Sequence, residues 1–440
     1  MNRRDFLRNT FWMGAAALTT DAGAKSAFDH YRDWELRQVE VPSQTNGDDV
    51  RLHYDLTKPL HGPWLTNPAY DEMTVAFVSR EACGAAIEYR VKGTEEWTRQ
   101  WLTTYGMIDY TKRVHIFHLK GLQPATEYEY RFAACSSRYL TAYFDVVSGR
   151  ETWSFKTLDP ACTKTKVFIS ADIHGSLRLY LDYLYGRTGA SDADMYVFLG
   201  DNVEDSMSQP EFYITTGFLD DIVRLWGPAK PTMFVRGNHD SWGLHAADGW
   251  AEWFARPDAK GYYTVRRGNA LFICFDMPQE YYYKHAGKEA FQQYVAEERE
   301  WLKRLIASDE WKSATWRIGC CHYGTRTSPG DGMFKVFRET FGDLLNDPAA
   351  GFDLMLCGHE HYYARCLAHT AGYYHNPKND KPNAKPRVFK EATEQWNFAE
   401  VCGACVEGSV LEIDGRKLTL TSYDYKDEGQ PPLDTFTLTK

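Results

Sequence analysis

Positive charge is in short supply: 50 Lys and Arg stand against 60 Asp and Glu, a formal net charge of −10 over 440 residues. An average surface of that sign repels a phosphate backbone, so stable nucleic-acid binding held by bulk electrostatics is not expected. Long apolar runs are missing too. The weakly apolar stretch Phe11 to Leu18 is too short to span a bilayer and no second long run follows, so no transmembrane segment is expected. No cysteine ends that stretch to take a lipid, and no internal repeat is apparent. Cys402 and Cys405 have C-x-x-C spacing, but no second such pair exists to complete a structural zinc site. Of the ten cysteines, Cys274, Cys320, Cys321 and Cys357 lie in apolar, strand-like runs where small buried thiols are common. Extended disorder is excluded by 43% hydrophobic and 15% aromatic residues, and a chain of this length is expected to bury two cores.

Residues 1–24 read as a targeting segment. Asn2-Arg-Arg-Asp-Phe-Leu-Arg8 resembles a twin-arginine signal, and Ala22-Gly23-Ala24 offers the small residues a signal peptidase needs. An exported protein, periplasmic or extracellular, is therefore expected, against the alternative of an ordinary basic N-terminal helix.

Residues 35–158 form short alternating runs broken by turn residues, such as Met73 to Val78 and Val114 to His118, which predict an all-β sandwich. Leu122-Gln-Pro-Ala-Thr-Glu-Tyr-Glu-Tyr130 resembles the corner of a fibronectin type III domain. No residue there carries chemistry on its own, so the sandwich is expected to act as a brace. From residue 163 to 440 the rhythm changes to α/β. Strands are predicted at Lys166–Ala171, Met195–Leu199, Thr232–Val235, Leu271–Phe275, Trp316–Cys321 and Phe352–Leu356, and a helix at Lys288–Ile306. A hairpin at Asp414-Gly415 is expected to close the sheet, and His369 to Arg387 to be a surface loop.

Five polar clusters directly follow predicted strands: Asp172-Ile-His174, Gly200-Asp201-Asn202, Gly237-Asn238-His239-Asp240, His322, and Gly358-His359-Glu-His361. Strand ends hold side chains rigidly and open onto a shared crevice. Two Asp, one Asn and four His supply hard oxygen and borderline nitrogen donors suited to Mn, Fe or Zn without a thiolate. The glycines before Asp201, Asn238 and His359 are expected to permit the tight turns that present these side chains.

In this order the clusters resemble the calcineurin-like metallophosphoesterase family, over the segment from about Lys166 to the C-terminus. The resemblance implies a four-layer α/β/β/α domain and a hydrolase of phosphate esters, acting on a small-molecule substrate with two divalent or trivalent ions. It assigns Asp172, His174 and His361 to the first ion and Asn238, His322 and His359 to the second, with Asp201 bridging. It makes His239 the acid that assists the departing oxygen, with Asp240 orienting it. No nucleophilic side chain is then needed, and Ser170 and Ser206 read as structural.

The sandwich, with Gly62-Pro-Trp-Leu65 resembling its entry segment, is most similar to the purple acid phosphatase branch. That branch has Gly where His174 stands and Tyr where Glu204 stands, so an imidazole replaces a tyrosinate on the first ion. Glu204 and Asp205 are candidates to touch the ligands. Tyr323, Arg326, Tyr362, Tyr363 and Arg365 are candidates to shape the pocket or bind a phosphate oxygen, and Tyr281 to Tyr283 to line its rim. The alternatives are a phosphodiesterase acting on nucleotides or phospholipid-derived diesters, and a non-catalytic exported binding protein.

Overall fold

Val167 and Ile169 of the strand Lys164–Ser170 face a core shared by two sheets, whereas Phe168 between them faces the opposite side. This period-two alternation, repeated in neighbouring strands, lets one sheet be buried on both faces. The structure, a computed structural model, describes residues 56–135, 137–139, 142–143, 146–175, 183–204, 207–256, 260–278, 287–327, 332–370, 396–403, 407–424 and 431–440. These all fall within the unit His53–Lys440. The signal-like segment 1–24, Asp205, Ser206, Tyr281 to Tyr283, Cys405 and all but the start of the loop expected at His369 to Arg387 lie outside the described residues.

The first α/β sheet runs in the order Thr232–Phe234, Met195–Phe198, Lys164–Ser170, Glu407–Asp414, Lys417–Asp424, Asp434–Thr439. Its first three strands are parallel and the rest antiparallel. The second runs Tyr263–Arg267, Ala270–Cys274, Trp316–Cys320, Leu354–Cys357, Ala399–Cys402, Ala364–Cys366, with the four inner strands parallel. Val167, Val197, Met233, Phe272, Ile318, Leu356 and Leu411 form the core between them. Outside the second sheet, helices Lys288–Ala307 and Gly332–Leu345 bury Phe291, Leu302, Phe337 and Phe341 against Leu271, Ile273 and Met355. Outside the first, short helices carry Ile214, Ile222 and Trp250 onto Phe168, Tyr196 and Phe234. The four expected layers are all present.

Each predicted strand is found within two residues of its expected ends. The hairpin at Gly415 forms, but it does not close the sheet: Asp434–Thr439 pairs beyond it with Lys417–Asp424.

Ahead of these lie the sandwich sheets, one of His61–Thr66, Glu72–Val78 and Val114–Lys120, the other built on Gly84–Val91 and Glu127–Cys135. Trp64, Ala76 and Val78 leave the sandwich to join the outer core of the first α/β sheet. Polar contacts reinforce that junction: Arg113 grips Glu211 through its two terminal guanidinium nitrogens at 2.7 and 2.9 Å, and the Tyr130 hydroxyl donates to the Pro228 carbonyl at 2.8 Å. Among the described residues no disulfide forms, and no helix is long and apolar enough to cross a membrane.

Candidate metal centre

All five clusters lie at the C-terminal ends of parallel strands, three from the first sheet and two from the second. The loops are stitched together. His174 N–H donates to the Asp201 carbonyl at 3.0 Å, Gly358 N–H to the His322 carbonyl at 3.0 Å, and His359 N–H crosses between sheets to the Asp172 carboxylate at 3.0 Å. Asp172, His174, Asp201, His359 and His361 all have positive φ, between 50° and 77°. For non-glycine residues this costs on the order of 1–3 kcal/mol each, and the surrounding fold must hold it in place.

Of the three glycines expected to permit turns, only Gly200 has a positive φ, 96°. Gly237 and Gly358 serve close approach instead. A Cβ on Gly237 would lie 2.2 Å from Asp201 Oδ1, and one on Gly358 would lie 2.7 Å from Asp172 Oδ2.

The seven expected donors gather into two groups that share Asp201. Asp172, His174, Asp201 and His361 form one, with His174 Nε2 3.1 Å from His361 Nε2 and His361 Nε2 3.5 Å from Asp172 Oδ1. Asp201, His322 and His359 form the other, joined by Asn238. There, Asn238 Oδ1 lies 3.1 Å from His322 Nε2 and 3.0 Å from His359 Nδ1, and Asp201 Oδ2 lies 3.3 Å from His322 Nε2. His322 Nδ1 sits 2.9 Å from the Leu199 carbonyl, which can only accept, so that nitrogen carries the proton and the lone pair of the neutral ring is on Nε2.

With His322 neutral, its Nε2, the Asn238 Oδ1 and the Asp201 Oδ2 are acceptors turned toward one another, an arrangement that calls for positive charge between them. Burial opposes charging of His322, yet the Asp201 carboxylate raises it to about 9, and Asp201, buried though it is, is held below the usual carboxylate range by His322, His239 and His174. A cation about 2.1 Å from each ligand keeps adjacent ligand atoms about 3.0–3.4 Å apart, the spacing found here. The donor set therefore fits metal ions.

His239 stands beside these groups with its Nε2 3.9 Å from Asp201 Oδ2 and its ring centroid 3.9 Å from that of Trp242. Its carboxylate partner is Glu204, whose Oε2 lies 2.6 Å from His239 Nδ1 while Oε1 lies 3.2 Å from His174 Nδ1. Burial acts to raise Glu204, but the two imidazoles bring it down to about 2. The expectation that Asp240 orients His239 is corrected. Its fully buried carboxylate turns to the N–H groups of Gly237 at 2.9 Å and Asn202 at 3.1 Å and to the Asn202 side-chain amide at 2.9 Å. Burial and the Asp201 charge push Asp240 up to about 6. Adjacent residues in the tight turn His239–Ser241 point apart, which sequence adjacency hides; Glu204, a candidate from its place three residues after Asp201, does touch a ligand, His174, and takes the role expected of Asp240 as well.

Among the flanking candidates, Tyr323 reaches the site, its hydroxyl 3.4 Å from Asn238 Oδ1. The two arginines are turned elsewhere. Arg326 is buried against the carbonyls of Phe398 and Cys366, and Arg365 pairs with Asp434 at 3.1 Å. Tyr363 donates to Asp434 at 2.7 Å and Tyr362 to the Thr327 carbonyl at 2.8 Å.

A sequence profile of the family described as calcineurin-like phosphoesterase matches residues 165–363. Among solved structures, a purple acid phosphatase, PPD1, from yellow lupin (Lupinus luteus) seeds is similar at 17% identity, with a TM-score of 0.55, over 86% of this chain and 74% of that one. PhoD is similar at 12% identity, with a TM-score of 0.56, over 90% of this chain and 92% of that one. At these identities the likeness shows a common fold. No curated protein matches the chain.

Proposed function

We propose, from the premise that residues 165–363 form a calcineurin-like phosphoesterase domain, that this chain hydrolyses small-molecule phosphate esters at two metal ions. Phosphoesterase activity follows from the domain; beyond it we assign the ligand roles, the acid and, from the likeness to the purple acid phosphatase branch, a preference for monoesters over diesters. The observation that carries it is the sharing of Asp201 by two converging donor groups. Asp172, His174 and His361 would hold one ion, Asn238, His322 and His359 the other, and Asp201 both. When bound, such ions offset the charge of the phosphate and lower the pKa of water beside them.

The chain's own residues supply the rest. His239, its Nδ1 against Glu204, presents Nε2 to the departing oxygen and gives it a proton; the Glu204 carboxylate stabilises the ring while it is charged. Trp242 packs on the imidazole and limits its rotation. Asp240 acts one layer back, fixing the Gly237 and Asn202 backbone that carries the donors.

Chelation is expected to abolish hydrolysis of p-nitrophenyl phosphate, and reloading with Mn, Zn or Fe to restore it; activity untouched by complete metal removal would refute the reading. Faster turnover of the bis(p-nitrophenyl) ester than of the monoester would favour the phosphodiesterase alternative instead. With Glu204 and His174 beside the first group, protein loaded with Fe(III) should show no tyrosinate-to-iron charge-transfer band. A visible band that disappears in Tyr323→Phe would contradict that assignment. Export is part of the proposal, motivated by Arg3 and Arg4: replacing both by lysine should leave activity in the cytoplasm, and unchanged periplasmic activity would count against it.

A further inference from the structure

The chain after His322 runs Tyr323-Gly-Thr-Arg-Thr327, and His322, Tyr323, Thr325, Arg326 and Thr327 are all at most 1% exposed. A loop buried this deeply has backbone N–H groups that neither water nor a strand ladder satisfies. Here three successive ones converge on a single side chain. Thr325 N–H donates to Glu400 Oε2 at 2.7 Å, and Arg326 and Thr327 N–H donate to Oε1 at 2.9 and 2.8 Å. The hydroxyls of Thr325 and Thr327 donate to the same carboxylate, the second at 2.8 Å. Glu400 is itself fully buried, so five donors stand in for the water it has lost.

Glu400 belongs to the strand Ala399–Cys402, separated from the His322 strand by Leu354–Cys357, whose end carries His359. Its carboxylate therefore reaches across the root of one ligand loop to hold the other. The approach is tight: a Cβ on Gly324 would lie 2.6 Å from Glu400 Oε1 and 2.8 Å from Cys357 Sγ. The loop's carbonyls are gripped as well. Arg338 of the helix Gly332–Leu345 donates to the Thr325 carbonyl at 2.7 Å, and Tyr362, next to His361, donates to that of Thr327 at 2.8 Å.

We propose that Glu400 is a positioning residue for the second ion: it fixes the loop that sets His322 and Tyr323 against Asn238. The inference rests on the reading of His322 as a ligand. Glu400→Gln keeps size and shape but turns an amide donor toward a ring of donors, so the loop must shift. Titration of metal-free protein with MnCl2 is expected to show one of the two sites weakened about 10–100-fold, the range typical of changes just outside a ligand shell, with the other unchanged. Turnover should recover at excess Mn with little change in KM.

Thr327→Val, which removes one hydroxyl at nearly constant volume, should weaken the same site to a smaller degree, and it carries the test if Glu400→Gln does not fold. A purely structural role would lower Tm while both sites of the folded variants bind Mn as in the unmodified protein, and that result overturns the inference. His322→Ala separates the two levels. If it too leaves both sites intact, the ligand reading itself fails; if it loses one site while the Glu400 and Thr327 variants lose none, only the positioning role does.

Discussion

Asp201→Ala is expected to give a folded chain that binds neither ion with useful affinity and hydrolyses p-nitrophenyl phosphate no faster than chelated protein. Asp201 alone belongs to both donor groups: its Oδ2 lies 3.3 Å from His322 Nε2 and 4.0 Å from His174 Nε2, while its Oδ1 accepts the His239 N–H at 2.9 Å. Without the carboxylate, imidazoles that now converge on an anion would face one another with no negative charge left between them to offset that of a shared cation. The affinity loss should exceed the 10–100-fold typical of changes outside the ligand shell. Metal content by elemental analysis, read beside circular dichroism to confirm folding, checks this. Two ions per chain in the folded variant would remove Asp201 from its bridging role.

His239→Ala should behave in the opposite way, keeping both ions and losing about 10²–10⁴-fold in turnover, the range for a positioned general acid. Its ring lies outside both Asp201-sharing clusters, in a third group with His174 and Glu204, and it contacts Glu204 through Nδ1. The loss should fall in kcat with KM little changed, and it should be smaller for p-nitrophenyl phosphate, whose leaving group needs little protonation, than for an alkyl phosphate. Equal losses across leaving groups would argue that His239 binds the phosphate without donating a proton. If His239→Ala instead shed metal as Asp201→Ala does, the division between ligand and acid would need redrawing.

The donors were legible in the sequence because each follows directly on an apolar strand, and parallel strands bring their C-terminal ends to one edge whatever the length of the chain between them. Local order and local composition therefore carried the site. What they did not carry were contacts set by the path of the chain after a strand ends. Asp240 adjoins His239 in sequence but its carboxylate turns to Gly237 and Asn202, while Glu204, 35 positions earlier in the numbering, meets the imidazole. Arg326 and Arg365 flank ligands in sequence yet are consumed by Phe398, Cys366 and Asp434.

Among the strands, those beyond the predicted set include the edges Tyr263–Arg267, Ala364–Cys366 and Asp434–Thr439, which are too short or too interrupted by polar residues to show a continuous apolar run. Ala399–Cys402 was hidden for a different reason. Its interior position is the buried Glu400, a residue type that argues against a buried strand until the five donors around it are seen.

The most direct test of the two-ion centre is a crystal of the protein grown with Mn and phosphate, with the ions located by anomalous scattering. Two peaks about 3.5–4 Å apart, the spacing usual for paired catalytic ions, with Asp201 between them and His239 beside the phosphate, is the expected result. A single peak, or ions bound away from Asp201, would contradict the account.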